Sequence, residues 1–494
     1  MTRKKFYSFL LLIILLAAAI RLRGLDNRFL LAADSGRDIL VARAAVQLDQ
    51  LPWVGSFSSA GPFVFGPNWY WFLMLPAIIV PNLFLAPWIA MYSLSLFFIL
   101  VMGLIGKVAG GRKFGLFLAL VAAFSPTAIG LSSYSTHHTM VEIFSALALL
   151  GFMAFVQTRR LIFAFLASGA ISAAVAMHYQ GLYLFLYYPA ILLLAPRNIA
   201  YFLKLILILT LGFLTSTWPL LLWDGGRGFK NVEQLVYYFR EGQYRVWVSN
   251  RWLTYLGVFW PAFLGKLFGG SALIGGLLGI FTALVLGFSE LRRNSVKILF
   301  PALILALQII ILRYQRGERY EGYLNFVHPL VLLLLGWALF QIERWSKVLT
   351  WIIVLVLFIT SILSAMPVLD WNNDADKLLD ARDSLKRVLP NSRFALYGRN
   401  LATSNCAYSL ALVLDHSDLL DDNGRPLGIC LYSLDSCNTP QARELGSFRF
   451  QNDLCVLADL KDVSPSTLVR PNHWYPFSIL AVYDDVQKWY LREK

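Results

Sequence analysis

Charge is what this sequence has least of. Only 15% of its 494 residues are Asp, Glu, Lys or Arg, while 58% are hydrophobic and the mean hydropathy is +0.60. A soluble chain of this length needs far more charge to cover its surface, so a soluble globular protein is excluded. Acidic residues are the scarcer sign, 29 against 43 basic, which leaves a formal charge of +14. In a soluble protein that balance would suggest nucleic acid. Here the Lys and Arg residues sit in short breaks between apolar runs, where cytoplasmic turns collect them, and no nucleic-acid partner is expected. Cysteine is nearly absent too: there are four, and none precedes Cys406.

What is present is a series of long apolar runs, the pattern of a polytopic α-helical membrane protein. Arg3, Lys4 and Lys5 precede the first run. Lys107, Arg112 and Lys113, then Arg159 and Arg160, Arg197 and Lys204, Arg292, Arg293 and Lys297, and finally Arg344 and Lys347 mark later breaks. Placing all of these inside gives a consistent alternation of about 11 spans, with the N-terminus cytoplasmic and the C-terminus outside. The first run is read as an uncleaved helix rather than a signal peptide, because Arg21 and Arg23 directly follow it. The acids then sort by side. Glu290 and Glu343 fall inside, whereas Asp26, Asp34, Asp38, Asp49, Asp224, Glu233, Glu241, Glu318 and Glu321 fall outside. The positive-inside rule does not require that segregation. It points to chemistry at the outer face, although solvated loops alone would also produce it.

Two outer loops are long, residues 23–69 and 223–266. The tail of the second, "RWLTYLGVFWPAFLGKLF", is apolar enough to span. A span there would invert every later loop, so it reads as a helix lying in the interface, with Trp252, Tyr255 and Trp260 as anchors. The chain divides into a membrane domain, residues 1–366, and a polar segment, residues 367–494. In the latter, "ADKLLDARDSLKRVLP" is an amphipathic helix with Leu378, Leu379, Leu385 and Val388 apolar. "RFALYG", "GICLYSL" and "NDLCVLADL" are strands divided by turns. This is a small extracytoplasmic α/β domain. Its cysteines, Cys406, Cys430, Cys437 and Cys455, are either disulfide-bonded in one of three pairings or buried thiols.

The stretch "DSGRDILVARAAVQLDQLPWVGSFSSAGPFVFGPNWYW", followed by "MHYQGLYLFLYYP" and "WPLLLWDGGRGFKN", resembles the GT-C superfamily of integral-membrane glycosyltransferases. The similarity is to bacterial relatives of protein O-mannosyltransferases and of the lipid A aminoarabinose transferase, and it covers about residues 1–345. The chain departs from the pattern in two places. Asp34-Ser35 stands where many relatives have Asp-Glu, with the second acid at Asp38, and "STHHTM" replaces a Trp-Asn-Pro-like segment. The resemblance implies an inverting transfer of a sugar from a polyprenyl-phosphate donor to a lipid, glycan or protein acceptor at the outer face of the cell (inner) membrane.

That reaction needs a base for the acceptor, cations for the departing phosphate and an apolar groove for the lipid. The resemblance places the base at Asp34; the alternative is a helix N-cap. Asp38, one helical turn on, would orient Asp34, bind the acceptor or ligate a metal, or else simply pair with Arg37 or Arg43. Arg313, Arg316, Arg319 and His178 are candidates for the donor phosphate. Asp224 and Arg227 are acceptor or structural residues near a Gly-Gly turn. His137 and His138 fall at an outer helix end, and His138 with Glu142, four apart, is a weak signal for a divalent metal ion, the one cofactor considered. A transporter or flippase would carry its charges within the spans, which are nearly free of them here. A non-catalytic receptor of the same fold is the third reading.

Overall fold

The computed structural model describes residues 1–58, 61–242, 251–290, 296–315, 321–343, 346–370, 372, 374–397, 405–421, 424–431, 443–451 and 453–461. Seven helices among them are long and apolar enough to cross a membrane: Arg3–Leu22, Ala86–Gly110, Met140–Thr158, Ile199–Gly225, Val296–Tyr314, Glu321–Ile342 and Lys347–Pro367. Asn68–Ile79 and Leu161–Met177 are apolar but shorter. The chain is an integral, multi-pass membrane protein. The expected count of 11 spans is larger than the seven long helices, or eight with the bent pair described below, because several apolar runs are broken. Ser125-Pro126 divides Arg112–Phe124 from Pro126–Leu131, and the run after His178 starts as a 3₁₀ helix, Tyr179–Leu186, before Tyr187–Leu193.

Glu321–Ile342 forms the centre of the bundle, with 89% of its apolar window buried. Small residues let neighbouring helices approach closely, as membrane interfaces favour. A Cβ on Gly106 would come within 2.9 Å of the Gly115 Cα. The basic breaks meet at one end of the bundle: Lys107 Nζ contacts Tyr7 Oη at 3.1 Å, Arg112 donates to the Met1 carbonyl at 2.7 Å, and Lys297 donates to the Val108 carbonyl at 3.0 Å.

The segment read as an interfacial helix forms Arg251–Leu267, bent 96° from Ala272–Phe288. Two of its three expected anchors are not at a membrane surface. Tyr255 and Trp260 are buried in protein, and Tyr255 Oη donates to the Ile309 carbonyl at 2.6 Å. Trp252 is exposed and carries the Arg313 guanidinium 4.7 Å above its ring.

After Leu369 the chain builds a four-stranded sheet. Its strands are β1 (Phe394–Tyr397), β2 (Arg425–Leu431), β3 (Arg443–Phe450) and β4 (Asp453–Asp459), in the order β1-β2-β4-β3. β1 and β2 are parallel, the other pairs antiparallel. The helix Ala375–Val388 forms as its periodicity predicts, with Leu378 and Leu385 buried, but Leu379 and Val388 are exposed. A second helix, Asn405–His416, packs against the membrane domain. Cys406 and Cys455 form a disulfide and Cys430 is also disulfide-bonded; Cys437 lies outside the described residues.

Candidate active site

The segment that opens the first long loop folds as the helix Ala33–Gln47. Its N-cap is Ala32, not Asp34. Ser35 Oγ accepts from the Ala32 N–H at 3.0 Å, and Asn405 of the C-terminal segment accepts from the Ala33 N–H at 2.9 Å. The N-terminal N–H groups that a helix leaves unpaired are thus served partly from the C-terminal domain, and Asp34 in the first turn is free for other work. Arg43 pairs with Asp415 at 2.6 Å, and Gln451 Nε2 donates to the Leu31 carbonyl. Gly36 is where the two helices touch: a Cβ there would lie 2.9 Å from the Tyr408 carbonyl carbon and oxygen. The domain is therefore built onto the site helix.

Arg37 joins the two carboxylates. Its Nη1 lies 2.9 Å from Asp34 Oδ1, and its Nε donates to Asp38 Oδ1 at 2.8 Å. Asp38 is fully buried, and Trp69 Nε1 donates to its Oδ2 at 2.9 Å. His137 Nδ1 stands 3.6 Å from the same oxygen. A carboxylate so enclosed is held and has little room to meet a substrate. The Asp34 side chain is 51% exposed. Burial opposes its charge, but the charge and hydrogen bond of Arg37 together with the nearby His137 outweigh that opposition, and the carboxyl lies below its ordinary range.

Around this pair the structure assembles an aromatic and imidazole wall. His178 stacks on Phe65 at 4.8 Å, on His137 at 5.5 Å and on Tyr323 at 5.1 Å. The His138 backbone carbonyl accepts from Gln180 Nε2 at 3.1 Å and Asn325 Nδ2 at 3.0 Å, tying three loops together. Burial and the neighbouring His137 push His138 down to about 3, so its ring stays neutral. His138 also lines a cavity of about 520 Å³ with Tyr134, Lys266, Asn325 and His328. Asp34, Asp38, His138 and His178 are thus brought together from three segments.

Other candidates lie elsewhere or have other partners. Asp224 is buried, and its carboxylate accepts the backbone N–H groups of Asn231 at 2.8 Å and Val232 at 3.0 Å, capping Lys230–Tyr237. Arg227 donates to the Trp223 carbonyl at 3.0 Å and lies over that indole. Asp224 is a brace: Asn231, which it positions, donates Nδ2–H to Tyr179 Oη at 3.0 Å, and its Oδ1 accepts from the Val64 N–H at 2.8 Å. That contact fixes the Phe63–Phe65 loop against the histidines. Arg313 stacks on Trp252, while Arg316 and Arg319 lie outside the described residues. Glu142 is bonded to His328, Oε1 to Nδ1 at 2.9 Å, and among the described residues no group of three His, Cys, Asp or Glu is placed to hold a metal ion. Asn231 closes the stretch "WPLLLWDGGRGFKN", and Lys266, Asn325 and His328 carry no motif. The last two sit in "GYLNFVHP", where a polar residue on either side of apolar ones was the only signal.

A polytopic helical bundle followed by a small C-terminal sheet defines the class of fold, and this chain has the GT-C fold. It is similar to ArnT from Cupriavidus metallidurans bound to undecaprenyl phosphate, with a TM-score of 0.65 at 12% identity over 91% of this chain and 98% of that one. The apo form of ArnT gives a TM-score of 0.61 at 13% identity. The Archaeoglobus fulgidus oligosaccharyltransferase in complex with Zn and sulfate gives 0.50 at 14% identity over 77% of this chain; the match spans 56% of that protein's length. No family model matches the chain, and no curated protein matches it in sequence.

Proposed function

We propose that the protein is an inverting glycosyltransferase that moves a sugar from a polyprenyl-phosphate donor to a lipid, glycan or protein acceptor at the outer membrane–water interface. The observation that carries this reading is the division of labour between two carboxylates: Asp38 is buried and braced, Asp34 is half-exposed and ionised. Asp34 takes the proton of the acceptor hydroxyl or amine as that atom attacks the anomeric carbon. The C–O bond to the donor phosphate breaks, and its electron pair leaves with the phosphate. One displacement inverts the centre, so one base is enough. Arg37 keeps Asp34 charged and aimed, and Asp38 keeps Arg37 in place. The likeness to ArnT bound to undecaprenyl phosphate supports the donor class.

The orientation follows from the same reading. The end bearing Lys107, Arg112 and Lys297 faces the cytoplasm; the site and the domain from about residue 367 lie outside, where disulfides persist. The test is purified protein in detergent, offered labelled polyprenyl-phosphate sugars with candidate acceptors. Transfer or slow donor hydrolysis supports the proposal. Vectorial movement of the donor in liposomes without chemistry means a flippase, and binding alone means a receptor.

A further inference from the structure

The site helix begins with residues that do not hold its own end. Helices are ordinarily closed at the N-terminus by a Ser, Thr, Asp or Asn side chain at the N-cap. Here the N-cap is Ala32, which has no acceptor, and the next residue is Ala33. Ser35 supplies only half of a capping box, its Oγ accepting from the Ala32 N–H at 3.0 Å. A first turn left in that state frays readily. Asp34 sits in that turn, its carboxylate steadied by Arg37.

The missing acceptor comes from 372 residues away. Asn405 Oδ1 accepts from the Ala33 N–H at 2.9 Å. Asn405 Nδ2 donates to Gln451 Oε1 at 3.2 Å, and Gln451 Nε2 donates in turn to the Leu31 carbonyl. Two side-chain amides thus use both their ends and hold the chain on either side of Ala32. The Gln451 N–H is itself held, donating to Asp374 Oδ2 at 3.3 Å. Gln451 lies in the turn between β3 and β4 with φ at +53°, the left-handed region where glycine is the unstrained choice. A glycine would ease that turn and lose the amide. Cys406, next to Asn405, is bridged to Cys455, four residues beyond Gln451, so a covalent bond links the two arms. Beside them Gly36 lets the helices close, with the fully buried Tyr408 against it.

We propose that Asn405 and Gln451 are positioning residues for Asp34: they form a clasp by which the C-terminal domain orders the first turn of the site helix and sets where the base stands. The inference rests on the transferase reading and makes the C-terminal domain part of the site. The clasp acts through the backbone from Leu31 to Asp34 and needs no contact with substrate. Its loss therefore falls on the chemical step and leaves donor binding in place. A reacting group displaced by about 1 Å slows a reaction by about 100-fold.

The test uses the full chain in nanodiscs with two measurements: hydrogen exchange at the start of Ala33–Gln47, and single-turnover transfer from labelled undecaprenyl-phosphate sugars. Asn405→Leu keeps the size but removes the acceptor. It should speed exchange in the first turn and lower the transfer rate at least about tenfold, with the affinity for undecaprenyl phosphate unchanged. Asn405→Asp keeps the acceptor and should recover most of both losses. Gln451→Gly should leave the thermal midpoint near wild type while transfer falls, a divergence that a merely structural role would not produce. Gly36→Ala favours the helix itself but drives a methyl group against the Tyr408 backbone, so it should speed exchange in both helices even where the Asn405 variants fold poorly. Unchanged exchange in folded Asn405→Leu, or wild-type turnover in Gln451→Gly, overturns the clasp, as do equal losses in Asn405→Leu and Asn405→Asp. Absence of transfer by the wild-type chain overturns the transferase reading instead, and the exchange comparison still decides the clasp.

Discussion

Asp38 is expected to be a brace, and removing it should cost stability before it costs chemistry. Its carboxylate is fully buried and engages Arg37 and Trp69 at 2.8 and 2.9 Å. Asp38→Ala leaves the indole N–H without its acceptor and the Arg37 guanidinium, itself 6% exposed, with Asp34 alone. Breaking a buried ion pair by removing one partner costs about 3–5 kcal/mol. Asp34→Asn touches the exposed end of the same network, where a pair is worth about 0–1 kcal/mol. The two substitutions should therefore separate in a thermal unfolding assay in detergent, followed by tryptophan fluorescence: a large loss for Asp38→Ala, a small one for Asp34→Asn. A control sharpens the argument. Replacing Arg37 and Asp38 together by Met and Leu removes the uncompensated charge, so it should recover most of the stability while transfer stays lost. Wild-type thermal stability in Asp38→Ala would refute the brace, as would full activity in the double variant.

His138 is neutral when folded, its pKa lowered from 6.5 to about 3, so the unfolded chain takes up the proton first as pH falls. The stability this group supplies is complete above about pH 6.5 and declines toward pH 3; a thermal scan across that window should show the decline, and His138→Gln should flatten it. Asp34, with its pKa held below 3.8, should keep transfer from acquiring an acid limb until pH falls beneath the ordinary carboxylate range; a limb near neutrality that disappears in Asp34→Asn would contradict the assignment. The Cys406–Cys455 bridge closes a separation of 49 residues, worth about 4 kcal/mol in the chain-entropy account, and Cys455→Ser should loosen the C-terminal domain from the site helix, read as increased hydrogen exchange in both Asn405–His416 and Ala33–Gln47. Thiols introduced at exposed Gln50 and Lys230 should react with an impermeant reagent from outside whole cells, and those at Gly111 and Arg197 should not; the reverse pattern would invert the topology.

The membrane class was legible in the sequence, because apolar runs and basic breaks report directly on the bilayer. Asp34, Asp38, His138 and His178 could be singled out since each is a polar residue at the end of an apolar segment. Their partners could not. Nothing local ties Asp224 to the N–H groups of Asn231 and Val232, and "WDGGRGF" looks the same whether it binds a substrate or caps a helix. Glu142 pairs with a histidine 186 residues away, a partner that its i, i+4 spacing with His138 does not reveal. Tyr255 and Trp260 illustrate another limit: an aromatic in an apolar run anchors equally well to lipid headgroups or to a neighbouring helix. In the C-terminal domain the periodic elements, β1, β2, β4 and Ala375–Val388, were readable. The helix Asn405–His416 was not, because burial of nearly its whole surface erases the amphipathic pattern.

The central claim is that Asp34 is the base in a transfer from a lipid-phosphate donor. The most direct measurement is single-turnover transfer by purified wild-type and Asp34→Asn protein, offered matched polyprenyl-phosphate and nucleotide sugars with the same acceptor. The account predicts transfer from the polyprenyl-phosphate donor alone, lowered at least about 100-fold in Asp34→Asn, within the range that general-base catalysis supplies, with donor binding retained. Wild-type turnover in folded Asp34→Asn, or robust transfer from the nucleotide sugar alone, would contradict it.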